Sequence, residues 1–156
     1  TGMKAKLRVL TALSHHAKLL IMDEPTAGLD VEARNHILDM LRTYMAEDEE
    51  RSILITSHIA SDLEHLCDDI YLIQKGTITF HEEVDRLLDA YGLLKVSDEV
   101  YKKMDKSHII CRKKENFGWS CLTDQKAYYQ MHNPEIVIEK GSVDELILLM
   151  AGGERI

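Results

Sequence analysis

The chain has 156 residues, of which 45% are hydrophobic and 29% charged, the balance of a soluble globular protein able to bury a core. Its formal net charge of -8 argues against a general nucleic-acid binder, because neutralising phosphates needs a basic face. The longest apolar runs, such as Leu146 to Ala151, are far too short to span a bilayer, and no signal-peptide pattern opens the chain. The three cysteines, Cys67, Cys111 and Cys121, form no CxxC pair, so neither a zinc site nor a disulfide framework is expected, and a reduced cytosolic setting fits best.

Met3 to His15 has rough helical spacing through Leu7, Leu10, Ala12 and Leu13. Lys18 to Met22 is a short apolar run, expected to be a strand buried on both faces. Val31 to Ala46 is predicted as a helix with Asp30 as its N-cap, and Ile37, Leu38, Leu41, Tyr44 and Met45 line one side. After an acidic turn at Glu47 to Glu50, Ser52 to Ile55 reads as a second buried strand. The strand-helix-strand unit has the length of a crossover, so its two strands should be parallel. Ser61-Asp62-Leu63-Glu64 has the capping-box pattern and should start a helix. Asp69 to Gln74 and Thr77 to His81, joined at Lys75-Gly76, predict an antiparallel hairpin, followed by a helix from Glu82 to Tyr91.

Beyond Gly92 the charge changes. Residues 1–91 carry 9 Lys and Arg against 17 Asp and Glu, whereas residues 92–156 carry 10 of each, which suggests a boundary near Tyr91-Gly92. Strands at 93–96, 108–113, 117–122 and 135–139 and helices at 97–104, 124–130 and 142–150 are expected, a small βαββαβ-like unit.

The chemistry concentrates in LLIMDEPTAGLD, residues 19–30, where an apolar strand runs into two adjacent carboxylates. In an open parallel sheet ligands gather beyond the carboxyl ends of the strands. Asp23-Glu24 sits at one such end and Thr56-Ser57-His58 at the next. Side chains alternate along a strand, so Asp23 and Glu24 should not share a role. Asp23 suits a hard cation such as Mg2+, which takes oxygen ligands and keeps waters. Glu24 is then free to orient or deprotonate an attacking water. Pro25 ends the ladder and Gly28 permits the turn before Val31.

These strings carry a resemblance. LLIMDEP resembles the Walker B segment of an ABC-type ATPase, TAGLD its D-loop, and SILITSH the strand and switch histidine of that family. Thr1-Gly2-Met3-Lys4 resembles the tail of the signature motif, in the Gly-Met-Lys form similar to ATPases of ABC-2 type export systems. The resemblance covers residues 1 to about 91 and is specific in order and spacing. It implies that Asp23 positions Mg2+ through water, that Glu24 is the catalytic base, and that His58 contacts the γ-phosphate. It further implies that Asp30 communicates across a nucleotide-sandwiched dimer and that Gly2 offers its backbone to the γ-phosphate held by the opposite subunit. ATP and Mg2+ are the implied cofactors. A second ABC ATPase domain, identical or different, and transmembrane permease subunits are the implied partners, with no nucleic acid. The implied place is the cytoplasmic face of the membrane, peripherally bound.

No G-x-x-x-x-G-K-[ST] occurs, so the phosphate cradle and its lysine are missing, and no Q-loop is present. The expectation is a C-terminal fragment of an ATPase domain that starts inside the signature motif and is inactive alone. The expected fold is α/β, a partial P-loop-NTPase-like parallel sheet with helices and an antiparallel hairpin over residues 1–91, plus a small accessory α+β unit over residues 92–156. Two other classes stand beside it: a non-transport ABC ATPase, and a non-catalytic regulatory or dimerisation module. His15-His16 and His65 with Cys67 have the wrong spacing for a metal site, the lysine-rich stretches near 102–106 and 112–114 read as a solvated face, and Trp119 and Tyr128-Tyr129 read as packing residues.

Overall fold

A computed structural model describes residues 2–156. They form two compact units, the first ending at Leu66 and the second running from Cys67 to Ile156. In the first, α1 (Gly2–Leu13), β1 (Leu19–Asp23), α2 (Val31–Ala46), β2 (Ser52–Thr56) and α3 (Ala60–Leu66) follow in order. The two strands pair in parallel, from Leu19 opposite Ser52 to Asp23 opposite Thr56. That is the crossover arrangement expected from the strand-helix-strand spacing. Asp30 caps α2 as predicted, its Oδ1 accepting the Ala33 N–H at 2.8 Å. The core of this unit is Val9 of α1, Leu20 and Met22 of β1, and Ile37, Leu41 and Tyr44 of α2.

Two expectations need correcting. The strands are not buried on both faces: Leu20 and Met22 point into the core, while Leu19 and Ile21 are 57% and 71% exposed. β2 alternates in the same way, with Leu54 exposed. The core cluster lies on one face of the pair, and period-2 alternation turns every other side chain away from it. The capping box at Ser61 is also displaced. α3 already begins at Ala60, so Ser61 lies inside it, and the entry turn is made by Ser57, whose Oγ accepts the Ile59 N–H at 3.0 Å.

The second unit begins with β3 (Asp69–Gln74) and β4 (Thr77–Glu83), an antiparallel hairpin. Its two-residue turn is Lys75-Gly76, both with positive φ (50° and 76°), the backbone that matches the twist of a tight hairpin. Then come α4 (Val84–Ala90), β5 (Gly92–Val96), α5 (Asp98–Lys103), β6 (Ile109–Glu115), β7 (Gly118–Thr123), α6 (Lys126–His132), β8 (Val137–Glu139), α7 (Val143–Gly152) and β9 (Glu154–Arg155). The five strands β8-β5-β7-β6-β9 make one antiparallel sheet. One face packs Leu94, Val96 and Cys121 against Tyr101 of α5, Met104 just after that helix and Tyr129 of α6. On the other face α7 lies close enough for the Cys111 thiol to reach the Leu149 carbonyl at 3.6 Å.

Every strand and helix expected after Gly92 is present within a few residues; only the two-residue β9 is additional. The unit boundary falls 25 residues before the charge shift, because the hairpin and α4 group with the C-terminal sheet. Arg155 of β9 donates to the Thr79 carbonyl of the hairpin at 3.1 Å. Charge composition reports surface, whereas packing decides compactness.

Candidate functional site

The site lies where β1 and β2 end side by side. Parallel register sets Asp23 opposite Thr56, and the Thr56 hydroxyl donates to Asp23 Oδ1 at 2.5 Å. The same hydroxyl accepts the Glu24 N–H at 3.0 Å, and the Thr56 carbonyl accepts it at 3.1 Å. Thr56 thus ties both acidic residues to the neighbouring strand. One oxygen of Asp23 is engaged and the other remains.

Glu24 leaves the strand. Its φ is +47°, in the left-handed region that costs a non-glycine residue energy and clusters at functional sites. The kink matters chemically. It breaks the strand alternation and swings the Glu24 carboxylate to His58, with Oε2 and Nδ1 2.7 Å apart. Both side chains are partly exposed. Glu24, Pro25, Thr26 and Ala27 then form a turn closed by the Ala27 N–H on the Glu24 carbonyl at 3.2 Å, and Gly28 takes φ +70° on the way to α2.

Of the residues singled out in the sequence, Asp23, Glu24 and His58 converge on this edge. Asp30 is at the start of α2, with one oxygen spent on its cap. Gly2 opens α1 with a Cβ position 3.5 Å from the Ala33 Cβ, so it packs against the first turn of α2. Thr1, the residue before it in the run Thr1-Gly2-Met3-Lys4, lies outside the described residues. A cleft of about 230 Å3 runs between α1 and the acidic edge, lined by Arg8, Val9 and Met22 along with Asp23, Glu24 and Pro25.

Sequence reasoning missed a buried group beneath this edge. Thr26 is fully buried, and its hydroxyl donates to Asp62 Oδ2 at 2.7 Å. Asp62 is 2% exposed, and its other oxygen lies 3.3 Å from Arg34 Nε of α2. That approach is an ion pair without hydrogen-bond alignment. The signal available was an acid in the first turn of a short helix, which also suits a solvated cap.

The donor set fits one part of the expected cofactor. Among the described residues no group of three or more His, Cys, Asp or Glu converges on a point. A cation held here would rely on one carboxylate, waters and ligand oxygens, which is the habit of Mg2+ with nucleotides. His65 Nδ1 is 2.7 Å from the Ser61 carbonyl of its own helix.

Comparison with known proteins bears on this edge directly. Residues 1–61 match the family described as "AAA domain, putative AbiEii toxin, Type IV TA system". The linearmycin resistance ATP-binding protein LnrL of Bacillus subtilis (strain 168) is 41% identical over 75 residues, 48% of this chain and 24% of that protein. The Nod factor export ATP-binding protein I of Bradyrhizobium sp. (strain SNU001) is 39% identical over 90 residues, 58% of this chain and 29% of that protein. A solved structure titled as the ATP-binding subunit of an ABC transporter is 29% identical, covering 55% of this chain and 35% of that one, with a TM-score of 0.49. By its own elements the chain is an α/β protein, and its relatives are named as ATP-binding proteins. Those relatives are ATP-binding proteins of ABC transporters, in agreement with the resemblance carried by the motifs. The chain spans about a quarter of the length of these relatives.

Proposed function

We propose that the chain is part of the ATP-binding and hydrolysing subunit of an ABC transporter, with hydrolysis driving transport through membrane-spanning partner subunits. The observation that carries this reading is the 2.7 Å pair of Glu24 and His58 beside Asp23, on the shared carboxyl edge of two parallel strands. MgATP, when bound, supplies the phosphoanhydride bond to be broken.

The chain's own residues divide the work. Asp23, steadied through Oδ1 by Thr56, keeps its second oxygen for the water shell of Mg2+. Glu24 accepts a proton from the attacking water. His58 Nδ1 holds the Glu24 carboxylate, which leaves Nε2 for the γ-phosphate. Gly2 offers its backbone to the nucleotide held by a second ATPase domain, and Asp30, also at the nucleotide-sandwiched interface, communicates across that dimer. Gly2 stands at a helix N-terminus, where free N–H groups favour an anion. The phosphate cradle is not among these 156 residues, so the nucleotide site is completed by other segments. No helix of the described residues is long and apolar enough to cross a membrane. The subunit's place is the cytoplasmic face, bound to its permease.

The test is Glu24→Gln in the full-length protein. ATP turnover should fall at least about 100-fold, within the range set by losing a general base, while ATP binding is kept. Turnover near the wild-type rate would remove Glu24 as the base. A second reading, a regulatory or dimerisation module, draws on the self-contained sheet of the second unit. It takes first place if the full-length protein proves to have no phosphate loop.

A further inference from the structure

We infer that Asp62 is a positioning residue of the hydrolytic edge: its buried carboxylate locks the turn that follows Glu24 to the helix that follows His58. The inference rests on the ATPase reading above. Thr26, two residues after Glu24, is fully buried and donates to Asp62 at 2.7 Å; Asp62 sits four residues after His58. The two active side chains are themselves partly exposed, so their 2.7 Å contact is not held by packing around them. What is buried and paired is Thr26 with Asp62.

The geometry explains why a charge is kept there. An ionised carboxylate is costly to bury unless it is paired, and an apolar residue would pack the site more cheaply. Asp62 meets the Thr26 hydroxyl with one oxygen and the Arg34 guanidinium with the other, so three segments of the first unit meet at one side chain. A greasy replacement would fill the space without a directional bond. The strain at Glu24, with φ +47°, points the same way, because such a backbone persists only where its surroundings over-determine it. The Glu24 N–H on Thr56 pins one side of the kink. The Thr26 hydroxyl on Asp62 pins the other.

Two measurements test this. In the 156-residue chain, a nuclear Overhauser contact between the His58 ring and the Glu24 side chain is expected. Thr26→Val, which keeps the shape and removes the donor, should abolish it with the melting temperature within about 4 °C of wild type. Thr26→Ser, which restores the hydroxyl, should keep it. In the full-length protein, Thr26→Val and Asp62→Leu should each lower kcat about 10- to 100-fold, with KM for ATP within about twofold, because misplacement costs rate and not binding. The double variant should fall no further than the worse single one.

A contact that survives in a folded Thr26→Val chain, or an unchanged kcat, overturns the inference. So does a Thr26→Ser variant as impaired as Thr26→Val. If the wild-type full-length protein does not hydrolyse ATP, the ATPase reading fails, while the fate of the His58 contact still decides whether Asp62 positions it.

Discussion

Asp105 shows how much one exposed carboxylate can organise. It accepts the Ser107 N–H at 2.9 Å and hydroxyl at 2.7 Å, and the Tyr128 hydroxyl at 2.9 Å. These donors, the Ser107 N–H foremost, hold its pKa down at about 2. An unfolded aspartate titrates near ~3.9. The folded value is the lower one, so the contribution to stability is present above about pH 4 and is lost as pH falls through about 2. Acid unfolding followed by Trp119 fluorescence should therefore show a loss of stability in that window, and Asp105→Asn should remove this part of it. Burial acts in the opposite sense on the cysteines. It pushes the thiols of Cys111 and Cys121 up to about 11 and about 12, and both are free. In the sequence both fall within spans expected to be strands, 108–113 and 117–122, and they stand on the paired strands β6 and β7. Their different burial partners were not legible there, since they follow from the bulge between Ile109 and Cys111 and from the packing of α7.

At the scale of the element, local patterns were readable wherever a residue type has one strong use. Asp30 before an apolar-periodic run is a cap, and α2 has the expected bounds. Ser142, with Glu145 three residues on, forms the full reciprocal capping box of α7. The same pattern at Ser61 misled, because Asp62 is drawn inward by Thr26 and Arg34, a tertiary pull that outweighs the local signal. Gly118 is the most constrained backbone position in the second unit. With φ +144°, it begins β7, and a Cβ there would stand 2.1 Å from the Val96 carbonyl oxygen of β5. Gly118→Ala combines a backbone region reserved for glycine with that clash. It should destabilise the chain by about 3 kcal/mol, measured by urea unfolding. A change below about 1 kcal/mol would show that β5 and β7 part easily at that end.

The whole molecule comprises a unit with a two-stranded parallel pair that ends in an acidic edge, and a unit that carries a five-stranded antiparallel sheet. The first unit displays Leu19, Ile21 and Leu54 on the uncovered face of its parallel pair, and its acidic edge has no phosphate cradle among these residues. The 156-residue chain should therefore bind ATP weakly and not hydrolyse it. Titration calorimetry giving a submicromolar Kd would overturn that expectation and show that these residues hold ATP without the phosphate cradle.

By itself the sequence determined the order of elements, the parallel crossover, the hairpin at Lys75-Gly76 and the placing of Asp23, Glu24 and His58 at the adjoining ends of two strands. Each of these rests on short-range periodicity or on motif spacing. Only the tertiary structure decided that β1 and β2 are covered on one face, that the hairpin packs with the C-terminal sheet, and that Glu24 bends to meet His58 over a buried Thr26 and Asp62. The physical reason is distance along the chain. Thr26 and Asp62 are 36 residues apart, and which polar group is dried and paired depends on packing that no local pattern encodes.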